Sequence, residues 1–358
     1  MKKLALLKFV IAAMFVSCTY AADNYQEDVE KAYLLRMNGE LDKAEAILDS
    51  IIQIDSTVAI AHYEWARLKS YKLLGGGKPE ISGILSSAEK ATEYDPDNAI
   101  YAYFLANTKY LNAYMAMQMG QEDANALIEE TMNQYEKVLL IKPDYYEASL
   151  YLVELYGLLP EDMGGDLAKA NSLAEKLSSQ DTYYGAMAKA VLAPDTLDYV
   201  QYWEDIIASE GRLPAYLAEA GKACLYKDDP DQAETYFKEA IQLNKDQNIR
   251  YLDLARYSMY QVMYNKDMVD TELPKAIKFV KVYLQSKPAP LIPLQAYAIG
   301  MQARFEKFLG NKEVSDQLKE KAKGLDPYFS RATGIPSPIL FSPPDQICHH
   351  HTSFFMPF

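Results

Sequence analysis

Histidine and cysteine, the commonest zinc ligands, are sparse in this 358-residue chain, with four and three residues. One cluster stands out, Cys348-His349-His350-His351, because thiolates and imidazoles are zinc ligands. Consecutive residues do not readily converge on one ion, and the only other histidine is His62. We therefore predict no metal site and no cofactor.

A glycine run at residues 75–77, followed by Lys78, is the second feature that could carry chemistry, since glycine-rich loops bind phosphate. It lacks the spacing and the following Ser or Thr of a nucleotide-binding loop, and it falls between two predicted helices instead of after a strand. The sequence contains no recognisable nucleophile with a base, and acidic residues such as Glu129 and Glu130 are typical of a solvated helix face. The protein is therefore predicted not to be an enzyme.

The elements that would position any functional residue recur along the chain as pairs of helices. The clearest copy spans residues 214–247, where Gly221, Ala233, Phe237 and Ala240 keep the spacing of a helix-turn-helix unit of about 34 residues. Gly221 and Ala233 are small where the two helices must approach, and Phe237 is large enough to fill the gap between them. This copy predicts two antiparallel helices packed closely together.

Other copies are predicted at residues 25–58 and 296–329, and Gly310 suits the left-handed turn that ends a helix. Copies with longer connections lie between these three. A pair at residues 181–192 and 197–209 keeps the helical period but lacks the glycine and proline signature, so its assignment is weaker. Seven or eight helix pairs are expected in total.

These spacings resemble the tetratricopeptide repeat family over about residues 25–329. The resemblance implies an all-α fold, a right-handed superhelical solenoid of antiparallel helix pairs, assigned to residues 22–329. Each unit in such a stack buries its apolar face against its neighbours. The first helix of each pair would then line one concave groove.

The resemblance also implies that the ninth residue of each unit faces this groove, which places Lys222, Arg256 and Arg304 in one column of cations. Such a column could bind a carboxylate, or each cation could pair with a neighbouring acid. The carboxylate clamp of the family's best-known peptide-binding variant is not reproduced, because the fifth residues of these units offer no side-chain donor. Tyrosine is common in this chain, so the aromatic residues on this surface could instead pack between helices. The remaining groove candidates are Arg67, Asn107, Tyr63, Tyr103, Tyr110 and Tyr297.

Residues 1–21 are typical of a signal peptide, with Lys2 and Lys3 before an apolar stretch that is too short to span a bilayer. Cleavage is predicted after Ala21. A competing interpretation makes Cys18 a lipidated N-terminus, which would add a membrane anchor. The protein is expected to be exported and periplasmic, or alternatively a lipoprotein anchored through Cys18, with no transmembrane segment after signal removal.

Residues 330–358 form a tail rich in proline and phenylalanine, which excludes a helix there. We expect an extended segment that caps the end of the solenoid, although it could instead occupy the groove or be disordered.

The formal net charge of -14 makes nucleic acid an unfavourable partner. The leading hypothesis is a non-catalytic exported scaffold or adaptor that binds a protein or peptide in its concave groove. The alternative is a small-molecule or solute-binding accessory component of an uptake system.

Overall fold

The computed structural model describes residues 25–77, 80–194 and 196–328. The predicted signal peptide with Cys18, the tail and the Cys348-His351 cluster lie outside these residues. The described parts contain sixteen α-helices, three 3-10 turns and no β-strand. The helices are α1 (residues 25–37), α2 (Leu41–Ile54), α3 (Ala59–Leu74), α4 (Ile81–Tyr94), α5 (Ala99–Gln118), α6 (Ala124–Ile141), α7 (Tyr146–Leu158), α8 (Leu167–Gln180), α9 (Thr182–Val191), α10 (Tyr199–Glu210), α11 (Pro214–Tyr226), α12 (Pro230–Leu243), α13 (Arg250–Tyr264), α14 (Val269–Leu284), α15 (Ile292–Phe308) and α16 (Lys312–Leu325).

Successive helices form eight units, from unit 1 (α1 and α2) to unit 8 (α15 and α16), and the predicted all-α solenoid of antiparallel helix pairs is confirmed. The two helices of a unit differ in burial. The even-numbered α12 buries one stripe of side chains, whereas the odd-numbered α3 buries residues on most of its sides, including charged ones. The odd-numbered helices are therefore the inner layer of the solenoid and the even-numbered helices are the outer layer.

The closest helix packing occurs where the sequence predicts it. In unit 6, a methyl group at Gly221 would overlap the ring of Phe237, which is fully buried. Asp229 begins the second helix by accepting a hydrogen bond from the backbone nitrogen of Gln232 at 3.0 Å. Gly310, between the helices of unit 8, has the left-handed φ of 84° that the sequence predicts.

Unit 5 departs from this pattern, because α9 packs against α7 and α8 of the preceding unit. Gly185 allows this close approach, since a side chain there would overlap the backbone of Ser178. Large aromatic residues of α10 then reach the displaced helix. The hydroxyl of Tyr202 donates to the carbonyl of Ala186 at 2.7 Å, and the hydroxyl of Tyr199 donates to that of Ala190 at 3.2 Å. Within unit 5, α9 and α10 are thus joined by side-chain contacts instead of by closely packed backbones.

The two ends of the described solenoid contact each other, at a site that we call the end junction. Tyr71 of α3 donates its hydroxyl to the buried carboxylate of Asp326, which follows α16. The hydroxyl of Tyr328 donates to Asp42 of α2 at 2.8 Å, and the ammonium of Lys72 lies 4.5 Å from the centre of the Tyr328 ring. Unit 8 therefore rests on units 1 and 2.

Glycine makes the end junction close enough for backbone contact. A side chain at Gly75 would overlap the carbonyl of Tyr328, and one at Gly39, whose φ is 77°, would overlap the carbonyl of Leu325. The turn between α1 and α2 and the turn after α3 thus contact the chain at the end of α16. Eight units complete one closed turn, a closure that the sequence analysis did not predict.

Candidate binding surface on the inner helices

Side chains of successive odd-numbered helices contact one another on the inside of the turn, and we call these side chains the inner surface. Arg36 of α1 lies 3.3 Å from the carboxylate of Glu64 on α3, and the rings of Tyr63 and Tyr101 are 4.7 Å apart. Burial raises the pKa of Tyr183 in unit 5, and the charge of Arg250 in unit 7 opposes that shift. The inner surface is therefore lined by side chains that interact with one another.

Two of the predicted residues, Tyr63 and Arg67, lie together at the start of this surface. The guanidinium carbon of Arg67 is 5.2 Å from the centre of the Tyr63 ring, and its Nη1 is 2.7 Å from the carboxylate of Glu64. Glu64 also pairs with Arg36, so one buried carboxylate serves two guanidinium groups. Burial and the charge of Arg67 lower the pKa of Arg36, while burial raises the pKa of Tyr63.

Tyr103, Asn107 and Tyr110 belong to a tyrosine-rich part of the inner surface. Tyr103 is only 9% exposed and its ring lies 6.1 Å from that of Tyr135. Asn107 accepts a hydrogen bond of 2.6 Å from the Tyr135 hydroxyl, and the half-buried Tyr110 packs 6.1 Å from Tyr151. Tyr103 and Asn107 thus hold inner and outer helices together, which is the packing role that the tyrosine content suggested as an alternative.

Lys222 does not stand alone in the predicted column of cations. Its ammonium lies 2.7 Å from the carboxylate of Glu219, one helical turn earlier on α11. Glu219 is buried and also accepts a hydrogen bond of 3.2 Å from the hydroxyl of Tyr183. The charge of Lys222 is therefore balanced within its own unit.

The other two members of the column, Arg256 and Arg304, lie near Tyr297, and we call these three residues with Arg250 and Asp253 the arginine cluster. Nη1 of Arg250 is 2.6 Å from one oxygen of Asp253, and Nη1 of Arg256 binds the other oxygen. Nε of Arg256 donates to the Tyr297 hydroxyl at 3.1 Å. Burial lowers the pKa of Arg304, and the neighbouring Tyr297 opposes this shift. One carboxylate is thus shared by two guanidinium groups of α13, and Tyr297 links Arg256 to the next unit.

The sequence pattern allowed each cation of the column to pair with a neighbouring acid, but it did not single out those acids or Arg250. Arg250 is the first residue of α13 and is not one of the groove positions that the family resemblance supplies. The acids stand three residues before Arg67, Lys222 and Arg256, a spacing that places two side chains on the same face of a helix. This spacing is visible in the sequence and would have identified the ion pairs.

The described residues also lack two features that the sequence could have encoded. Among them, no group of three or more His, Cys, Asp or Glu side chains could hold a metal ion. Within the same ranges, no helix has the length and apolarity required to cross a bilayer.

No protein-family model matches the chain, and no curated protein matches its sequence. Several solved structures do resemble it. A tetratricopeptide repeat protein from Parabacteroides merdae is 15% identical, with a TM-score of 0.42, over 84% of this chain and 99% of that protein. YrrB, described as a TPR protein with an unusual peptide-binding site, is 15% identical, with a TM-score of 0.28, over 65% of this chain and 94% of YrrB. PilW, a type IV pilus biogenesis factor, is 15% identical, with a TM-score of 0.29, over 75% of this chain and 94% of PilW. By the pairing of its own helices, the described part of the chain is an all-α solenoid of antiparallel helix pairs.

Proposed function

We propose that this protein is a non-catalytic scaffold that holds an extended peptide segment of a partner protein on its inner surface. The observation that carries this proposal is the composition of the inner layer. Its cationic side chains keep partial access to solvent, at 16% for Arg67, 23% for Lys222 and 19% for Arg256. A layer that served packing alone would be expected to be apolar, because burying charged groups is costly.

An extended segment suits this surface better than a folded domain does. The side chains that line it are partly covered by their neighbours, so only a slender ligand can reach them. Tyrosines such as Tyr63 and Tyr110 would supply flat, rigid contact area, and the cations would supply directional hydrogen bonds. The curvature of solenoid proteins also creates an extended concave surface, and these proteins commonly bind their partners there.

Selection from a random peptide library displayed on phage tests this proposal without knowledge of the natural partner. We expect the purified protein to enrich binding peptides, and the double variant Tyr63→Ala, Tyr110→Ala to bind them at least about 10-fold more weakly, because interface tyrosines commonly carry binding energy. The matched control is Tyr264→Ala, since Tyr264 is 64% exposed at the end of α13. Equal binding by the wild type and the folded inner-surface variant would contradict the proposal.

A second candidate function is the binding of a small solute as an accessory component of an uptake system. The end junction favours it, because a closed turn shields the inner surface and suits a ligand smaller than a protein. Mass spectrometry of the small molecules that the purified protein releases on denaturation tests this candidate. A stoichiometric small molecule would support it, and its absence together with enriched peptides would support the scaffold.

We also propose that the protein is exported, on the pattern of residues 1–21. N-terminal sequencing of the mature chain is expected to begin at Ala22. Metabolic labelling with palmitate, compared between the wild type and Cys18→Ala, distinguishes the lipoprotein alternative. A chain that retains Met1 in the cytoplasm would contradict export.

A further inference from the structure

The starts of three successive inner helices bring aromatic rings together, and we call these rings the tyrosine patch. The patch consists of Tyr63 on α3, Tyr101 and Phe104 on α5, and Tyr145 immediately before α7. The centre of the Tyr63 ring is 4.7 Å from that of Tyr101 and 5.4 Å from that of Phe104. The ring planes meet at 34° and 84°, so these rings do not stack face to face. Units 2, 3 and 4 thus share one aromatic surface with angled walls.

Three hydroxyl groups of the tyrosine patch have no partner in the described parts of the chain. Those of Tyr63, Tyr101 and Tyr145 donate to none of these residues, and none of them is a buried oxygen, so each reaches solvent. Burial raises the pKa of Tyr145 to about 12, and the neighbouring Glu147 and Tyr63 add to this shift. The patch therefore combines apolar rings with hydrogen-bond donors that remain available.

Angled aromatic rings with available hydroxyls suit a proline-rich segment. Such a segment favours the polyproline II conformation, whose backbone makes no internal hydrogen bonds, so its carbonyl groups accept from an outside donor. Proline-rich segments dock in grooves lined by aromatic side chains. Proline also fixes the backbone before binding, which reduces the conformational entropy lost on docking.

The chain itself carries a segment of this kind, at residues 334–344, which we call the proline segment. Its sequence is Gly-Ile-Pro-Ser-Pro-Ile-Leu-Phe-Ser-Pro-Pro, with four prolines and no charged residue. The helix that precedes it, α16, buries only Ser315 and Ala322, and charged residues make up most of its exposed side. The end of the solenoid therefore offers little apolar surface for this segment to cap.

The end junction places the proline segment within reach of the tyrosine patch. The described chain ends at Tyr328, two residues after Asp326, whose carboxylate accepts the hydroxyl of Tyr71 on α3. Tyr63 lies eight residues before Tyr71 on this helix, a distance of about 12 Å along its axis. Pro336 follows Tyr328 by eight residues, which span about 25 Å when extended. The length of chain after the end junction is therefore sufficient to reach Tyr63.

We propose that the proline segment docks on the tyrosine patch of the same chain. Its apolar side chains pack against the aromatic rings, and the hydroxyls of Tyr63 and Tyr145 donate to its backbone carbonyls. This contact does not require a partner protein. Where a partner peptide also binds the inner surface, the proline segment competes with it for the same tyrosines.

Photo-crosslinking within the full chain tests the docking directly. A benzophenone amino acid replaces Phe341 in the proline segment, and the irradiated protein is digested with trypsin and analysed by mass spectrometry. We expect crosslinks within one chain to the peptides that contain Tyr63, Tyr101 or Tyr145. The control places the same amino acid at Phe358, fourteen residues beyond the segment, and should give a lower yield on these peptides. Equal yields from both positions, crosslinks mainly on α16, or crosslinks only between two chains would overturn the proposal.

A synthetic peptide of residues 334–344 gives a quantitative test by isothermal titration calorimetry. The peptide is titrated into the wild-type chain and into a full-length variant in which serine replaces Pro336, Pro338, Pro343 and Pro344. We expect the serine variant to bind the peptide and the wild type to bind it at least about 10-fold more weakly, because a tethered segment competes at millimolar effective concentration. Failure of the serine variant to bind the peptide, or equal binding by both chains, would overturn the proposal.

Substitutions in the serine variant show whether the tyrosine patch is responsible. Tyr63→Phe together with Tyr145→Phe keeps both rings and removes two hydroxyls, so the affinity for the peptide should fall by roughly 5- to 30-fold. The matched control is Tyr264→Phe, since Tyr264 is 64% exposed at the end of α13. Equal affinities of the patch variant and this control would place the peptide elsewhere and overturn the assignment.

The docking of the proline segment and the proposed scaffold function fail separately. If the segment neither crosslinks to the patch nor binds as a peptide, library peptides that depend on Tyr63 and Tyr110 would still support the scaffold. If the segment docks as expected but the serine variant enriches no library peptide, the scaffold function fails and the docking stands.

Discussion

The closure of the solenoid turn predicts a local loss of stability when Tyr71 is replaced by phenylalanine. Asp326 is fully buried, and its carboxylate accepts one hydrogen bond from the Tyr71 hydroxyl and another of 3.0 Å from the backbone nitrogen of Tyr328. The substitution keeps the buried ring of Tyr71 and removes only its hydroxyl. A buried acceptor left without its donor costs about 1–3 kcal/mol. The opening equilibrium of the end junction should therefore shift by roughly 5- to 140-fold.

Amide hydrogen exchange followed by mass spectrometry measures this opening directly. Terminal units of a solenoid contact a neighbour on one side only, so α16 should depend on the end junction for part of its protection. We expect faster exchange in α16 and in the second half of α3, with little change in the middle units.

Tyr184→Phe is the matched control for Tyr71→Phe. The hydroxyl of Tyr184 donates to the carboxylate of Glu147 at 2.7 Å, so the substitution also removes a tyrosine-to-carboxylate bond, but the pair is exposed and lies between units 4 and 5. Exchange in α16 should not change in this variant. If Tyr71→Phe leaves α16 equally protected, the end junction does not hold the turn closed.

Three further predictions concern packing, a thiol and pH. Gly221→Ala should lower the free energy of unfolding by about 1–3 kcal/mol, because the added methyl group overlaps Phe237. In the control Gly324→Ala the added methyl group meets no neighbouring atom, so the free energy of unfolding should rise by about 0.5–1 kcal/mol. Urea unfolding measures both variants, and equal effects would contradict the packing of unit 6. Burial raises the pKa of the Cys224 thiol to about 12, so in the double variant Cys18→Ser, Cys348→Ser Ellman's reagent should label the native protein at about pH 8 far more slowly than the urea-unfolded protein. Equal rates in this variant would show that Cys224 is accessible. Burial also raises the pKa of the Asp326 carboxyl group above 3.8, so the folded chain binds the proton of this group more tightly than the unfolded chain does. The free energy of unfolding should therefore fall as the pH rises above about 4. Asp326→Asn lacks this proton, so its stability relative to the wild type should increase between about pH 4 and pH 7, and a constant difference would refute the assignment.

The helix pairs could be predicted because their determinants are local in sequence. Gly221 and Phe237 lie sixteen positions apart within one repeat, and Ala32 and Leu48 keep the same spacing in the first copy. The end junction could not be predicted in this way. Tyr71 and Asp326 are 255 positions apart, and their contact depends on the small rotation between units accumulated over the whole turn.

The inner surface could be predicted only in part. Three of the ninth residues, Arg67, Lys222 and Arg256, form ion pairs on the inner helices, and their electrostatic partners come from other places in the repeat. Lys222 is neutralised by Glu219 on the same helix, whereas Arg256 shares Asp253 with Arg250 and contacts Tyr297 in the next unit. Two members of the predicted column of cations, Lys222 and Arg256, are therefore ion-paired on their own helices.

The most direct test of the central claim, that the inner surface binds the ligand, is site-specific photo-crosslinking. A benzophenone amino acid is introduced at Tyr297 on the inner surface or at Leu140, which is 83% exposed at the end of α6. The protein is then irradiated with a peptide selected from the library. The structure predicts an adduct from position 297 and little from position 140. An adduct formed at position 140 and not at position 297 would contradict the claim.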